Sequence, residues 1–362
     1  MARATRMPGQ RDIAAVTGVS QSTVSFVLNG RAAEKGIPEA TQQRILEVAD
    51  SLGYVPNVAA RSLRGGLNGL IGVHTFERVF PVKADDYYHE FLVGIEEEAV
   101  ALGHDLVLFA STQSPDGTRS IYSSGRNRLR LADGAVMLGM EQNDAELVRL
   151  AAEGYPFVFI GRRDVEGSPV PYVAADYAGA LRDTVDLLVE HGHRDILYLG
   201  VPRPRGPQQD RRDGFRRHAA ARSLAPRHAS LQLPNQLTAE WLVSTIASGA
   251  TAVVVETFEL ATALYALGAA ARVRIPDDLS MVCLDVGPRS DLDVPWSRIG
   301  VPRRQLGRRA VSLLVARLQG RTTSEREVLP CDPPGTQTVA PPRSSPASDV
   351  GVGAPLVVPA TP

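Results

Sequence analysis

Apolar positions along this chain follow two rhythms. In residues 12–29 (DIAAVTGVSQSTVSFVLN) the rhythm is helical, with Ile13, Ala14 and Val16 on one piece and Val24, Val27 and Leu28 at i, i+3 and i+4 on the next. Gly18 between them tolerates the left-handed backbone of a tight turn, and Ser20 is suited to cap the second piece with its hydroxyl. The opposite side of that piece shows Gln21, Ser22, Ser25 and Phe26. Helix, glycine turn and short polar-faced helix read as a helix-turn-helix or, equally, as a helical hairpin inside a core. A third helix is predicted over 39–52, with Pro38 in its first turn, Ile45, Val48, Ala49 and Leu52 as its apolar stripe, and Gly53 as its stop. Asn57 can cap a further short helix over 58–63, ended by Gly65 and Gly66. Alone it would not be stable, because nucleation costs more than one turn gives back.

From Leu67 the rhythm changes. Short apolar runs (LIGVHTF, HDLVLFAS, ADGAVMLGM, YPFVFIGR) alternate with helical material, including an amphipathic helix over 87–102. After a Pro-rich crossing at 168–172, helices over 177–190, 213–221, 238–248 and 260–271 alternate with the runs DILYLG, SLQL, TAVVVE and SMVCLDV. Such alternation predicts parallel sheets with helices on both faces, here in two lobes joined near residue 167. A last helix is predicted over 305–318, with Leu306, Ala310, Leu313 and Leu314 on one side. The tail from Pro341 has neither helical nor strand period; it is read as disordered, and it lacks the leucine heptads of a coiled coil.

Composition narrows the class. The 362 residues are too many for one domain of ordinary size, and 44 % apolar with 22 % charged residues is the balance of a soluble globular protein. A net charge of -1 excludes a polycation, yet the first 66 residues carry eight basic against five acidic side chains, a local sign that suits phosphate. Lys35 and Lys83 are the only lysines. Cys283 and Cys331 lie far apart without metal-type spacing, and Cys283 sits in an apolar run as a core thiol. No apolar run approaches the ~20 residues of a membrane span, and no apolar signal segment opens the chain. A cytoplasmic protein without metal or cofactor is expected.

The motifs GVS-x-x-TVS-x-VLN at 18–29 and LGY-x-PN-x-AARSL at 52–63, followed by two alternating lobes, make the chain resemble the lactose-repressor (LacI/GalR) family of bacterial transcription regulators. The resemblance spans roughly residues 10–340. It implies an all-α helix-turn-helix headpiece (1–54), a hinge helix and linker (55–66), and an α/β two-lobed periplasmic-binding-protein-like domain of two parallel doubly wound sheets (67–340), before the tail (341–362). Lobe 1 is expected at about 67–166 and 301–323, and lobe 2 at about 167–300 and 324–340.

In this family the second helix enters the major groove of double-stranded DNA. Gln21 and Ser22 would then reach base edges, Gln pairing bidentately with adenine and Ser less selectively. Thr23, Ser25 and Asn29 would touch phosphates, and Ser20, at the start of the helix, belongs to the same DNA-binding set. Phe26 stands where the family usually has an Arg that can read guanine. A Phe there packs on a thymine methyl or sugar edge, or belongs to the headpiece core, so the usual operator sequence does not carry over. Residues 58–63 resemble the hinge helix that lies in the minor groove, with Leu63 as an apolar wedge and Asn57, Ala60 and Arg61 beside it; a plain linker is the alternative.

A small-molecule effector is expected between the lobes, at the C-terminal ends of the strands. The family points to Tyr87 and Tyr88 after Asp85-Asp86, to Arg211 and to Asp285, and Arg162 stands at the end of the strand YPFVFIGR. Asp176 matches a family acid and equally an N-cap of the helix after it. Carboxylates and guanidiniums suit polyhydroxylated molecules. The family's common Asn-Asp after the TAVVV-type strand is absent, because Thr257 and Phe258 follow Glu256. Either the effector is not a simple sugar or it sits differently. The expected function is a homodimeric repressor on a palindromic operator, associated with the nucleoid and gated by a sugar or sugar derivative. The alternatives are a regulator with a non-sugar effector, an α/β enzyme with a regulatory headpiece, and a periplasmic-type binding protein, against which the absent signal segment speaks. Against the enzyme, the chain has no G-x-S-x-G elbow, no phosphate loop and no H-E-x-x-H motif. His191 and His193 read as a turn without metal partners.

Overall fold

The computed structural model describes residues 8–54, 67–76, 87–110, 119–122, 125–140, 143–204, 206–224, 229–285, 287, 296–321 and 325–343. The chain divides into two compact units, Met1–Asn68 and Gly69–Pro362.

The first unit is three helices, α1 (Gln10–Thr17), α2 (Gln21–Leu28) and α3 (Glu39–Ser51), around Ile13, Val24, Val27, Ala32, Ile45 and Ala49. Asp12 accepts the Gly9 N–H at 2.7 Å and so caps α1. Gly18 turns the chain at φ 70°, and Gly53 stops α3 at φ 62°. One expected core residue is corrected: Val16 is 62 % exposed. The residue that shares the inner side with Ile13 is Thr17, one full turn on, whose buried hydroxyl donates back to the Ile13 carbonyl at 2.7 Å. The expected hinge helix over 58–63 lies outside the described residues.

The second unit holds two parallel sheets. The first is built from β1 (Leu70–His74), β2 (Asp105–Leu108), β3 (Gly134–Met137), β4 (Phe157–Ile160), β5 (Tyr172–Ala175) and β11 (Arg326–Leu329), in the order β11-β5-β4-β3-β1-β2. Its helices are α4 (His89–Ala101), α5 (Asp144–Ala152) and α10 (Arg303–Leu318). The second sheet has β6 (Ile196–Gly200), β7 (Ala229–Leu231), β8 (Ala252–Val255), β9 (Ser280–Cys283) and β10 (Ser297–Arg298), in the order β10-β9-β8-β6-β7. The helices α6 (Tyr177–Glu190), α7 (Pro207–Ala221), α8 (Ala239–Ala247) and α9 (Phe258–Ala270) belong with it. In β4 the two-residue period serves two cores: Phe157 and Phe159 join one cluster, Val158 and Ile160 the other. Helices α4 and α10 meet backbone to backbone. A Cβ on Gly94 would strike the Arg304 carbonyl, and one on Gly307 the Phe91 carbonyl.

The lobe boundaries differ from expectation. The first lobe does not end at 166, because Tyr172 and Val173 pair with Phe159 and Ile160, and β11 pairs with β5 along Arg326–Leu329. Pro169 and Pro171 precede the strand rather than interrupt it, so the buried run Tyr172, Val173, Ala174 forms an inner strand. The chain therefore crosses between lobes after Ala175, between β10 and α10, and again after Leu329, where Asp332 bridges to Gly300 and Thr338 donates to the Met281 carbonyl at 2.5 Å. Helix α7 begins at Pro207, six residues before the predicted start, since its first turns (PQQDRR) are polar and carry no apolar period. The start of the predicted disordered tail is fixed instead, Arg343 pairing with Asp278 at 2.5 Å; residues 344–362 lie outside the described set.

Candidate functional site

Helix α2 presents its outer side as the sequence suggests. The Ser20 Oγ accepts the Thr23 N–H at 3.1 Å, and the two hydroxyls lie 2.8 Å apart, so both are tied to the helix start. Gln21 and Ser22 are exposed, and the Gln21 amide oxygen accepts from Arg11 at 3.4 Å. At the other end the Asn29 amide donates to the Ser25 carbonyl at 2.7 Å and to its hydroxyl at 3.2 Å. Phe26 is half-buried and outside the headpiece core; the Arg31 guanidinium lies 5.8 Å and the Lys35 ammonium 5.3 Å from its ring centre. Asn57, Ala60, Arg61 and Leu63 lie outside the described residues.

The cleft between the lobes opens at the C-terminal ends of β3, β4 and β5 and is lined by Tyr87, Tyr88, Met140, Arg162, Arg163, Tyr177 and Asp210. Tyr87 and Tyr88, which immediately precede α4, meet edge to face at 5.2 Å. Arg162, just past β4, reaches across to Asp210 on α7 at 2.6 Å and also meets Asp164 at 3.3 Å. Burial raises the pKa of Asp210.

Behind the tyrosines lies a buried cluster. Arg211 donates to the Glu256 carbonyl at 3.0 Å and to the Tyr177 hydroxyl at 3.2 Å, with its guanidinium over the Tyr177 ring at 4.6 Å. Asp285 accepts from Arg303 at 2.6 Å and lies 3.6 Å from Arg211. Arg303 in turn covers the Tyr87 ring at 4.2 Å. Burial pushes the Tyr177 hydroxyl and the neighbouring Cys283 thiol up, the thiol to about 12, so neither ionises near neutrality.

Of the six expected effector residues, Tyr87, Tyr88 and Arg162 line the cleft, and Arg211 and Asp285 stand behind it. Asp176 caps α6, accepting the Gly179 N–H at 2.8 Å. Glu256 is fully buried, accepting from the Tyr198 hydroxyl at 2.6 Å and the Val201 N–H at 2.8 Å. Thr257 caps α9, and Phe258 packs on Trp296 at 5.5 Å, which fills with apolar contact the place where the family commonly has polar groups. Arg303, Tyr177 and Asp210 escaped the sequence reading. Arg303 left one legible sign: a cation at the first residue of a helix opposes the helix dipole and calls for an acid nearby. Among the described residues no group of three or more metal-binding side chains occurs, and no helix is long and apolar enough to cross a membrane.

Comparison with known proteins gives two family matches, the bacterial regulatory proteins of the lacI family over residues 11–57 and a periplasmic binding protein-like domain over 185–335. The transcriptional regulator CelR of Thermobifida fusca is 26 % identical over 326 residues, covering 88 % of this chain and 94 % of that one. The regulator TreR of Salmonella typhimurium is 29 % identical over 334 residues, covering 88 % and 96 %. Among solved structures, the lac repressor dimer bound to operator and an anti-inducer superposes with a TM-score of 0.70 at 21 % identity, covering 92 % of this chain and all 100 % of that one. A CelR–cellobiose complex superposes at 0.58 and 24 % identity, covering 90 % and 97 %.

Proposed function

This chain belongs to the lacI family of bacterial regulatory proteins and is a DNA-binding transcriptional regulator, and from that premise we propose that it is a cytoplasmic, nucleoid-associated homodimeric repressor released or recruited by a carbohydrate-like effector. Two copies of α2 read the half-sites of a palindromic operator, the two-fold axis of the protein coinciding with that of the DNA. Gln21 and Ser22 reach base edges, while Ser20, Thr23, Ser25 and Asn29 lie along the backbone. Asn57, Ala60, Arg61 and Leu63 act in the minor groove, where Leu63 wedges open a base step.

One observation carries the allosteric part: two ion pairs, Arg162–Asp210 and Arg303–Asp285, join the lobes across the cleft. A ligand lying between Tyr87, Tyr88 and Arg162, with Arg211 and Asp285 behind, competes with these pairs and so binds the lobes at one angle better than another. Differential affinity of that kind is what shifts a conformational equilibrium, and the coupling to DNA is reciprocal, typically about 1–3 kcal/mol. The paired aromatic rings and the cellobiose held by a structural relative support a sugar-like ligand. The relatives' regulatory role favours this reading over an enzyme. Footprinting on the DNA around its own gene, with and without sugars and sugar derivatives, tests it. A protected palindrome whose occupancy changes with a ligand is expected; protection without symmetry, or none, overturns it.

A further inference from the structure

The outward side of α2 carries a group that none of its relatives' names accounts for. Phe26 lies one turn beyond Ser22, on the side opposite Val24 and Val27, and the headpiece core does not include it. The chain leaving α2 folds back under this ring. Gly30 turns at φ 70°, the Arg31 N–H donates to the Phe26 carbonyl at 2.9 Å, and a short helical turn at Ala33–Lys35 ends at Gly36 with φ 62°. Ala32 anchors the segment in the core, and the Ile37 N–H closes it on the Ala32 carbonyl at 3.0 Å. The loop is thereby held with two cations against one aromatic ring, Arg31 at 5.8 Å and Lys35 at 5.3 Å. Arg31 is also paired with Glu34 at 2.8 Å, whereas among the described residues Lys35 meets no carboxylate within ion-pair distance. An aromatic face is a weak partner for an exposed ammonium. It fixes the position of the charge without neutralising it.

We propose that Phe26 and Lys35 form one composite contact to the operator, the ring resting on a thymine methyl in the major groove while the ammonium it positions binds the adjoining backbone phosphate. The inference rests on the reading that α2 is the groove helix. It divides between two residues what a single arginine would do. The ring reads one base by its methyl group, and the charge moves from a base edge to the phosphate chain, where it adds affinity for any sequence. Arg31, tied to Glu34, lies 5.8 Å from the same ring centre.

The test uses the full-length protein and the operator recovered by footprinting, with affinity measured by fluorescence anisotropy across a salt series. Lys35→Ala is expected to weaken the operator and its single-base variants by the same factor, and to lower the slope of log K against log salt by about 0.9 per half-site; Lys35→Arg keeps the slope. Replacing thymines one at a time by deoxyuracil removes only the methyl group. One such change per half-site is expected to cost the wild type about fourfold, the worth of one buried methyl group, and to cost Phe26→Ala nothing. Phe26→Leu, still apolar but without a ring face, keeps the methyl sensitivity and loses part of the salt slope. An unchanged slope in Lys35→Ala, or equal deoxyuracil sensitivity in wild type and Phe26→Ala, overturns the composite contact. Gln21→Ala with Ser22→Ala separates the two levels. If that pair binds as wild type, α2 is not the groove helix and the underlying reading falls; if it weakens binding while Phe26 and Lys35 variants behave as wild type, only this inference falls.

Discussion

The two ion pairs that join the lobes differ in burial, and this sets how much each is worth. Arg303 and Asp285 have side chains only 8 % and 11 % exposed, against 47 % and 17 % for Arg162 and Asp210. Asp285→Asn keeps the shape of the side chain and removes its charge. Arg303 then keeps a buried guanidinium without this carboxylate, and Arg211 loses the same neighbour at 3.6 Å. Removing one partner of a buried pair typically costs about 3–5 kcal/mol, because the other charge cannot return to water. A domain of this size shifts its melting temperature by roughly 2–4 °C per kcal/mol, so a fall of about 6–20 °C is expected. Asp210→Asn breaks a pair whose arginine is half in solvent; about 0–1 kcal/mol, or no more than ~4 °C, is expected. Both are measured without ligand, by thermal and urea unfolding. Trp296, buried in the second lobe, and Trp241 at the start of α8 report by fluorescence. Equal shifts in the two variants would refute the assignment of the buried pair as the principal tie between the lobes.

Three further outcomes are expected. Leu63→Ala is expected to weaken operator affinity at least tenfold in a gel-shift titration, while the lobes unfold at the wild-type temperature; unchanged affinity removes the wedge. Burial holds His74 and His193 down to about 4, so both stay neutral in the folded protein while the unfolded chain takes up protons below pH 6.5. Their contribution is complete above pH 6.5 and is lost as pH falls towards 4, a loss that the double variant His74→Gln, His193→Gln should reduce in a melting series from pH 7.5 to 4.5. Gly307→Ala drives a methyl into the Phe91 carbonyl, and about 1–3 kcal/mol of destabilisation is expected by urea titration.

Periodicity revealed most of the framework. The bounds of α6 are those of the predicted helix, 177–190, and each long apolar run after Leu67 became a strand. What periodicity missed are elements defined by partners distant in the chain. REVL at 326–329 is half polar and reads as nothing alone, yet it lies beside β5 because Tyr172–Ala175 offers it an open edge. The cleft shows the same division. Tyr87, Tyr88, Arg162, Arg211 and Asp285 came from resemblance and strand ends, and the structure brings them to the cleft or directly behind it. Arg303 opens a helix of the other lobe, with β10 between it and β9, and only folding sets it 2.6 Å from Asp285. Val16 departs from the expected stripe for a local reason: an eight-residue helix has so few turns that an exposed apolar residue beside the buried side carries no distinguishing period.

The late return of α10 and β11 to the first lobe has a consequence for how the chain is made. The helices of the headpiece are complete once residue 51 has left the ribosome, whereas the first lobe has to wait for residues 303–329 before its face over β3 and β4 is covered and its last strand is supplied. At about 5–20 residues per second that delay is tens of seconds. During this interval the groove at Gly94 that receives α10 stands open, its apolar lining exposed to whatever else is nearby. A nascent or truncated chain ending before Arg303 thus carries a finished DNA reader attached to an unfinished sensor. Premature termination between Gly69 and Leu329 removes control before it removes the capacity to touch DNA.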